Sequence, residues 1–197
     1  MGILFSILLF FLAVVMHEFA HGWIAYKLGD PTAKYSGRLT LNPLAHIDPI
    51  GTIILPLFLI ITNSPILFGW AKPVPVNFFR LNHPKKDMIW VGLAGPAANI
   101  LVAIIISIII KLRIAFMPVP ILQYFMSLNI VLAVFNLIPI PPLDGSRVIM
   151  GLLPPQLAYR YMQLEQFGFI IIVAMLYLGL FRVIVWPIVS IILRFLL

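Results

Sequence analysis

Gly2-Ile-Leu-Phe-Ser-Ile-Leu-Leu-Phe-Phe-Leu-Ala-Val-Val-Met-His-Glu-Phe-Ala-His-Gly-Trp-Ile24 stands at the start of the chain. It is long and apolar enough to span about 30 Å of hydrocarbon as a helix. Yet His17, Glu18 and His21 lie near its end. On a water-exposed helix these residues would carry no message. In a membrane segment they cost several kcal/mol unless they are paired or functional. The stretch lacks a basic leading region and a small-residue cleavage site, so it reads as a retained membrane helix and not as a signal peptide. The match of Met1-Gly2 to a myristoylation pattern is taken as accidental, because an acyl chain adds little beside a spanning helix.

Positions four apart share one face of a helix, so His17 and His21 can grip one metal ion between them. Glu18 is adjacent and can reach a water on that ion. This is the H-E-x-x-H arrangement of zinc hydrolases, with two histidine ligands and a glutamate general base.

Composition agrees with a membrane setting. Of 197 residues, 62% are hydrophobic and 10% charged, with a mean hydropathy of +1.11. A soluble domain would carry about a quarter charged residues. With no cysteine, any metal must be held by nitrogen and oxygen. The net charge of +7 would suggest nucleic acid in a soluble protein. Here it marks cytoplasmic loops, and no nucleic-acid partner is expected.

Beyond the first helix, residues 25–49 are polar and turn-rich. Within them Lys34-Tyr-Ser-Gly-Arg-Leu-Thr-Leu-Asn42 partly alternates, which predicts a short strand or hairpin. An apolar run, Ile50 to Phe68, is interrupted by Pro56 and Pro65. A proline-rich polar stretch follows to Asp87, then membrane helices over Met88 to Ile110 and Met117 to Pro142. The region from Phe167 onward is one long helix or two divided near Phe181-Arg182. The expected fold is therefore an all-α polytopic membrane protein. It is a bundle of about five to six membrane segments with one re-entrant segment and a β-hairpin on the cytoplasmic side. It forms a single domain over residues 1–197, with a catalytic core at about 10–150 and C-terminal membrane segments at about 165–197.

Whether Ile50 to Phe68 crosses the membrane decides the topology. If it dips in and returns, with the N-terminus outside and the tail forming two helices, ten Lys and Arg lie inside and three (Lys111, Arg113, Arg182) outside. If it crosses, the division is six to seven, which is no bias. The positive-inside rule favours the re-entrant path, and Pro56 agrees because it removes a helix hydrogen bond.

A hydrolytic zinc site needs a third protein ligand. Asp144, in Asn136-Leu-Ile-Pro-Ile-Pro-Pro-Leu-Asp-Gly145, follows an apolar helix broken by three prolines. With the re-entrant topology it lies on the same side as His17 and His21. Asn136 can donate a hydrogen bond to a developing oxyanion or bridge two helices. His46 and Asp48 are rival third ligands, with a ligand-orienting role the alternative for His46. Gly92-Leu-Ala-Gly-Pro-Ala-Ala-Asn99 offers small residues for close helix approach, and reads as a packing wall behind the metal.

Together, His17-Glu-Phe-Ala-His21, Gly92 to Asn99 and Asn136 to Gly145 resemble the site-2 protease family of intramembrane zinc metalloproteases. The resemblance covers roughly residues 10 to 150. It implies one zinc held by His17, His21 and Asp144, with Glu18 as base and Asn136 near the oxyanion. It also implies cleavage of a transmembrane protein substrate within the bilayer, near the cytoplasmic face of a prokaryotic plasma membrane. Family members often carry a PDZ or nucleotide-sensing domain, and neither is expected here. An unwound substrate needs backbone partners, and Lys34 to Asn42 or Gly69 to Asn77 could offer an edge strand. Trp70 is alternatively an interfacial anchor. A metal-ion transporter and a catalytically silent scaffold are the rival classes.

Overall fold

The computed structural model describes residues 2–64, 69–114 and 117–197, and every regular element among them is helical. The elements are α1 (Ile3–Lys27), α2 (Thr32–Tyr35), α3 (Pro49–Ile61), α4 (Pro84–Lys111), α5 (Val119–Asn136), α6 (Asp144–Leu152), α7 (Pro155–Met162), α8 (Gly168–Tyr177) and α9 (Leu180–Leu196).

The helices begin and end where local chemistry allows. Pro84 opens α4 at a position where no intrahelical N–H is needed, and Asp87 reaches back to accept the His83 N–H at 2.7 Å. Lys111 closes the same helix, favourably placed at the negative end of its dipole. Along α4, Leu101, Ile104, Ile105 and Ile108 are exposed, while Ala103, Ile106 and Ser107 are buried. The exposed set recurs at helical spacing and forms one apolar face. Such a face suits lipid rather than water. The inner face packs on Met126, Ile130 and Val134 of α5 and on Val185 and Val189 of α9. This is an integral membrane protein.

Three helices are long and apolar enough to cross a membrane: Phe5–Lys27, Pro84–Lys111 and Val119–Asn136. A fourth span arises if Pro155–Tyr177 and Leu180–Leu196, bent by 79° at their break, count as one. The expected count of five to six membrane segments, the re-entrant one included, is not confirmed by these spans among the described residues. The C-terminal region is two helices. It breaks at Gly179, where φ is +71°, two residues before the expected Phe181-Arg182. A glycine adopts that left-handed conformation without the penalty of a Cβ.

The hairpin expected over Lys34 to Asn42 is absent. Those residues instead finish α2 and turn at Gly37, also at positive φ. Arg38, 8% exposed, points inward and donates Nη2 to the carbonyls of Lys72 (2.5 Å) and Pro73 (3.3 Å). The one alternating stretch is therefore spent on anchoring a neighbour.

Of the apolar run Ile50 to Phe68, residues 65–68 lie outside the described residues. The two ends of the run meet: the Trp70 N–H donates to the Gly51 carbonyl at 3.1 Å, and Thr52 Oγ1 donates to the Trp70 carbonyl at 2.8 Å. A path that comes back to its own start fits a re-entrant segment. Asp48 caps the first turn of α3, its Oδ1 accepting from the N–H groups of Ile50 and Gly51.

Ile130 is fully buried at the meeting of α4, α5 and α9. Ile130→Ala is expected to lower unfolding free energy in detergent by about 2–5 kcal/mol through the cavity it leaves. Ile105→Ala, on the lipid side, should stay within about 0.5 kcal/mol of the parent.

Candidate metal centre

His17 and His21 lie on the inward face of α1, 5% and 8% exposed. Their Nε2 atoms are 3.0 Å apart. Asp144, in the first turn of α6, places Oδ2 at 3.0 Å from His17 Nε2 and 3.3 Å from His21 Nε2. These three residues are the one candidate metal-holding cluster among the described residues. The third-ligand alternatives take other work: Asp48 caps α3, and His46 is buried with Nε2 against the Thr40 carbonyl at 2.9 Å.

The outer nitrogens of the two rings determine what the inner ones offer. His21 Nδ1 stands 2.7 Å from the Val91 carbonyl, which can only accept, so Nδ1 carries a proton. His17 Nδ1 stands 2.6 Å from Asn99 Oδ1. The orientation of that amide is set by its other end, where Nδ2 donates to the Ala13 carbonyl (3.1 Å) and to Asn129 Oδ1 (2.8 Å). Asn129 in turn donates Nδ2 to the Phe125 carbonyl at 2.9 Å. Oδ1 of Asn99 must therefore face His17, and His17 Nδ1 is also a donor. Both rings turn Nε2 to the same carboxylate oxygen, and in its neutral form each ring offers a lone pair there.

Asp144 Oδ2 is itself buried and receives no hydrogen bond of acceptable geometry among the described residues. A cation between these three atoms, at mutual distances of 3.0–3.3 Å, would satisfy all of them at once. Zinc with bonds of about 2.0–2.2 Å in a tetrahedral shell holds its ligands about 3.3–3.5 Å apart, close to this triangle. Room is left by Gly95. A Cβ there would fall 2.6 Å from His17 Nε2 and nearer still to His21 Nε2. The donor set, the orphaned oxygen and the glycine cradle all fit a divalent metal.

Asp144 is delivered by close backbone approach. A Cβ on Gly145 would run into the Leu137 carbonyl, so only glycine lets α6 begin against the end of α5. The surrounding cavity, about 310 Å³, is lined by Glu18, Asn136 and Arg147 as well as the three ligand candidates. Glu18 Oε2 accepts the Val74 N–H at 2.7 Å. Val74 belongs to an extended strap, residues 69–77, whose Lys72 N–H donates to the His46 carbonyl and whose Asn77 N–H donates to Asp30 Oδ2. No strand forms there, because Pro73 and Pro75 remove N–H donors a ladder would use. Asn136 folds back, Nδ2 donating to the Leu132 carbonyl at 2.9 Å.

Sequence reasoning passed over four contributors. Asn99 and Asn129 fix the His17 ring rather than merely pack, and a buried amide in an apolar helix was the available signal. Gly95 leaves open the space beside the two Nε2 atoms. Arg147 lines the cavity with its guanidinium 5.5 Å from the Phe78 ring, and pairs with Glu165 through Nη2 (2.8 Å) and Nη1 (3.3 Å).

Comparison with known proteins agrees with this geometry. The profile of Peptidase family M50 matches residues 112–178, a stretch that includes Asp144. A Bacillus subtilis (strain 168) protein, "Putative zinc metalloprotease YwhC", is 40% identical over 185 residues, covering 89% of this chain and 81% of the relative. A Mycolicibacterium smegmatis relative, "Putative zinc metalloprotease Rip2", is 31% identical over 172 residues, 84% of this chain and 63% of its own length. "Zinc metalloprotease MJ0392" of Methanocaldococcus jannaschii is 26% identical over 153 residues, 77% of this chain and 35% of its own length. No solved structure matches the chain.

Two sets of substitutions probe the centre through zinc content per purified chain. His17→Ala, His21→Ala, Asp144→Ala and the cradle-filling Gly95→Ala should each lose the metal. Asn99→Ala, which frees the His17 ring, should weaken zinc binding by about 10–100-fold while the helical circular dichroism is retained.

Proposed function

The chain belongs to Peptidase family M50, the site-2 proteases, and is a zinc metalloendopeptidase; from that premise we propose that it cleaves a transmembrane protein substrate inside the bilayer, near the cytoplasmic face. In this reading His17, His21 and Asp144 hold the zinc, Glu18 is the general base and Asn136 assists the oxyanion. One observation carries it: two imidazoles with their outer protons fixed by Val91 and Asn99 turn their Nε2 atoms on the same carboxylate oxygen.

Zinc, when bound, supplies Lewis acidity to the peptide carbonyl and to water. The remaining work falls to the chain. Glu18 takes the proton of the attacking water and passes it to the leaving nitrogen. The Val74 N–H, engaging one of the two Glu18 oxygens, holds the carboxylate in place for that transfer. Asn136 Nδ2 uses one of its two protons on Leu132 and keeps another for the developing oxyanion. A substrate helix hides its carbonyls in i to i−4 hydrogen bonds, so it must unwind before Glu18 can act.

The orientation proposed is N-terminus outside, in a prokaryotic plasma membrane. Lys27, Lys34, Arg38, Lys72, Arg80, Lys85 and Lys86 then share the inner side with the metal centre, and Lys111 and Arg113 lie across the bilayer.

Glu18→Gln should keep its zinc and lose about 10²–10⁴-fold of cleavage of a helical membrane substrate. Undiminished cutting by that variant would show the base to be elsewhere, and a chelator that leaves activity intact would refute the metal reading. Topology can be read directly because the chain has no cysteine. Lys34→Cys and Lys86→Cys should react with an impermeant thiol reagent only from the inner side, Arg113→Cys only from the outer.

A further inference from the structure

A second cavity, of about 370 Å³, lies beside the metal centre on α1. Phe11 and Val14 of α1, Pro56 of α3 and Leu128 of α5 form its sides, and Trp70 and Ala71 of the strap close it. Its wall is mainly apolar, with Ser6, Thr52 and Tyr124 as the polar side chains, and its volume is in the range of a ligand pocket.

The cavity is built, not left over. Trp70 is fixed by its backbone bonds to Gly51 and Thr52. Its indole lies where a Cβ on Gly51 would stand, so the ring and the first turn of α3 make one continuous wall.

Two elements connect this cavity to Glu18. Val14 and Glu18 are four apart on one face of α1, about 6 Å along the axis. The strap passes Trp70 and Ala71 in the cavity and, three residues after Ala71, donates the Val74 N–H to Glu18. Extended chain advances about 3.3 Å per residue, so both routes place the cavity two or three peptide residues from the carboxylate. A peptide lying along α1 with its carbonyl at Glu18 therefore has a side chain at this opening.

We propose that the cavity is a specificity pocket, which receives a large apolar side chain (Leu, Phe or larger) two or three residues from the scissile bond. The proposal rests on the peptidase reading of the adjoining site. It explains why an apolar chamber sits beside a polar one. A transmembrane substrate offers mainly aliphatic and aromatic side chains, and selection among them must come from the size of a hole rather than from charge. A pocket that buries a large apolar side chain discriminates it from Ala by about 10–100-fold in kcat/KM.

Two measurements test this. In the first, a photoreactive benzoyl-phenylalanine replaces Leu128 in a Glu18→Gln chain, and an uncut membrane peptide of known cleavage site is added in detergent. Cross-links should map to the residue two or three from the bond. Cross-links to detergent or lipid alone overturn the proposal. In the second, Ala, Leu, Phe and Trp are placed in turn at each of the four positions on either side of the bond, and kcat/KM is compared. The parent enzyme should prefer Leu or Phe over Ala at one of the mapped positions by at least tenfold, and Leu128→Trp, which fills the cavity, should invert that ratio. An unchanged ratio overturns the pocket whatever the absolute rate. A parent that cuts no peptide, while the benzoyl-phenylalanine at position 128 still cross-links to one large apolar residue of the peptide, supports the pocket and faults the peptidase reading instead.

Discussion

Two imidazoles and a carboxylate facing one another among apolar helices form an arrangement that a bound cation stabilises. Burial in low dielectric removes the water that would otherwise separate their lone pairs. Much of the polar structure nearby can be understood as a response to that demand. α4 contributes the Val91 carbonyl and Asn99, each holding the outer edge of one ring. The tight junction at Gly145 contributes the carboxylate. Gly95, between them on α4, contributes nothing but volume.

Asn99 and Asn129 show how a bilayer protein keeps such groups in order. Each amide is satisfied on the donor side, by Ala13 and Asn129 in one case and by Phe125 in the other. The chain of bonds ends on backbone carbonyls, which cannot turn. A histidine anchored to so rigid a series keeps one tautomer, and the inner nitrogen is left bare for an ion. The same economy governs the strap. Within Pro73-Val74-Pro75 only one residue has an N–H, and that N–H is given to Glu18. The flanking rings remove competing donors and keep the backbone extended.

Much of this could be read in the residues before any coordinates. Polar groups in an apolar helix are conspicuous, so His17, Glu18 and His21 declared themselves. Asp144 was reached through the prolines before it and through the distribution of positive charge. What stayed hidden was relational. Asn99 and Gly95 have meaning only when α1 is laid against α4, and no periodicity reports that contact. Lys34 to Asn42 misled because alternation suggests a strand, whereas its inward residue, Arg38, holds the backbone of another segment. The sequence leaves the C-terminal region as one helix or two divided near Phe181-Arg182, and the backbone breaks two residues earlier, at Gly179, where a left-handed residue is needed.

Asn99 touches Ala13 and His17 on one helix and Asn129 on another, so it acts as a dowel through three rods. Were α1 to slip lengthwise by a single turn, about 5.4 Å, the pin would shear and the imidazole would swing off its bearing. The shape of the His17–His21–Asp144 cluster is thus coupled to how α1, α4 and α5 are aligned along their axes.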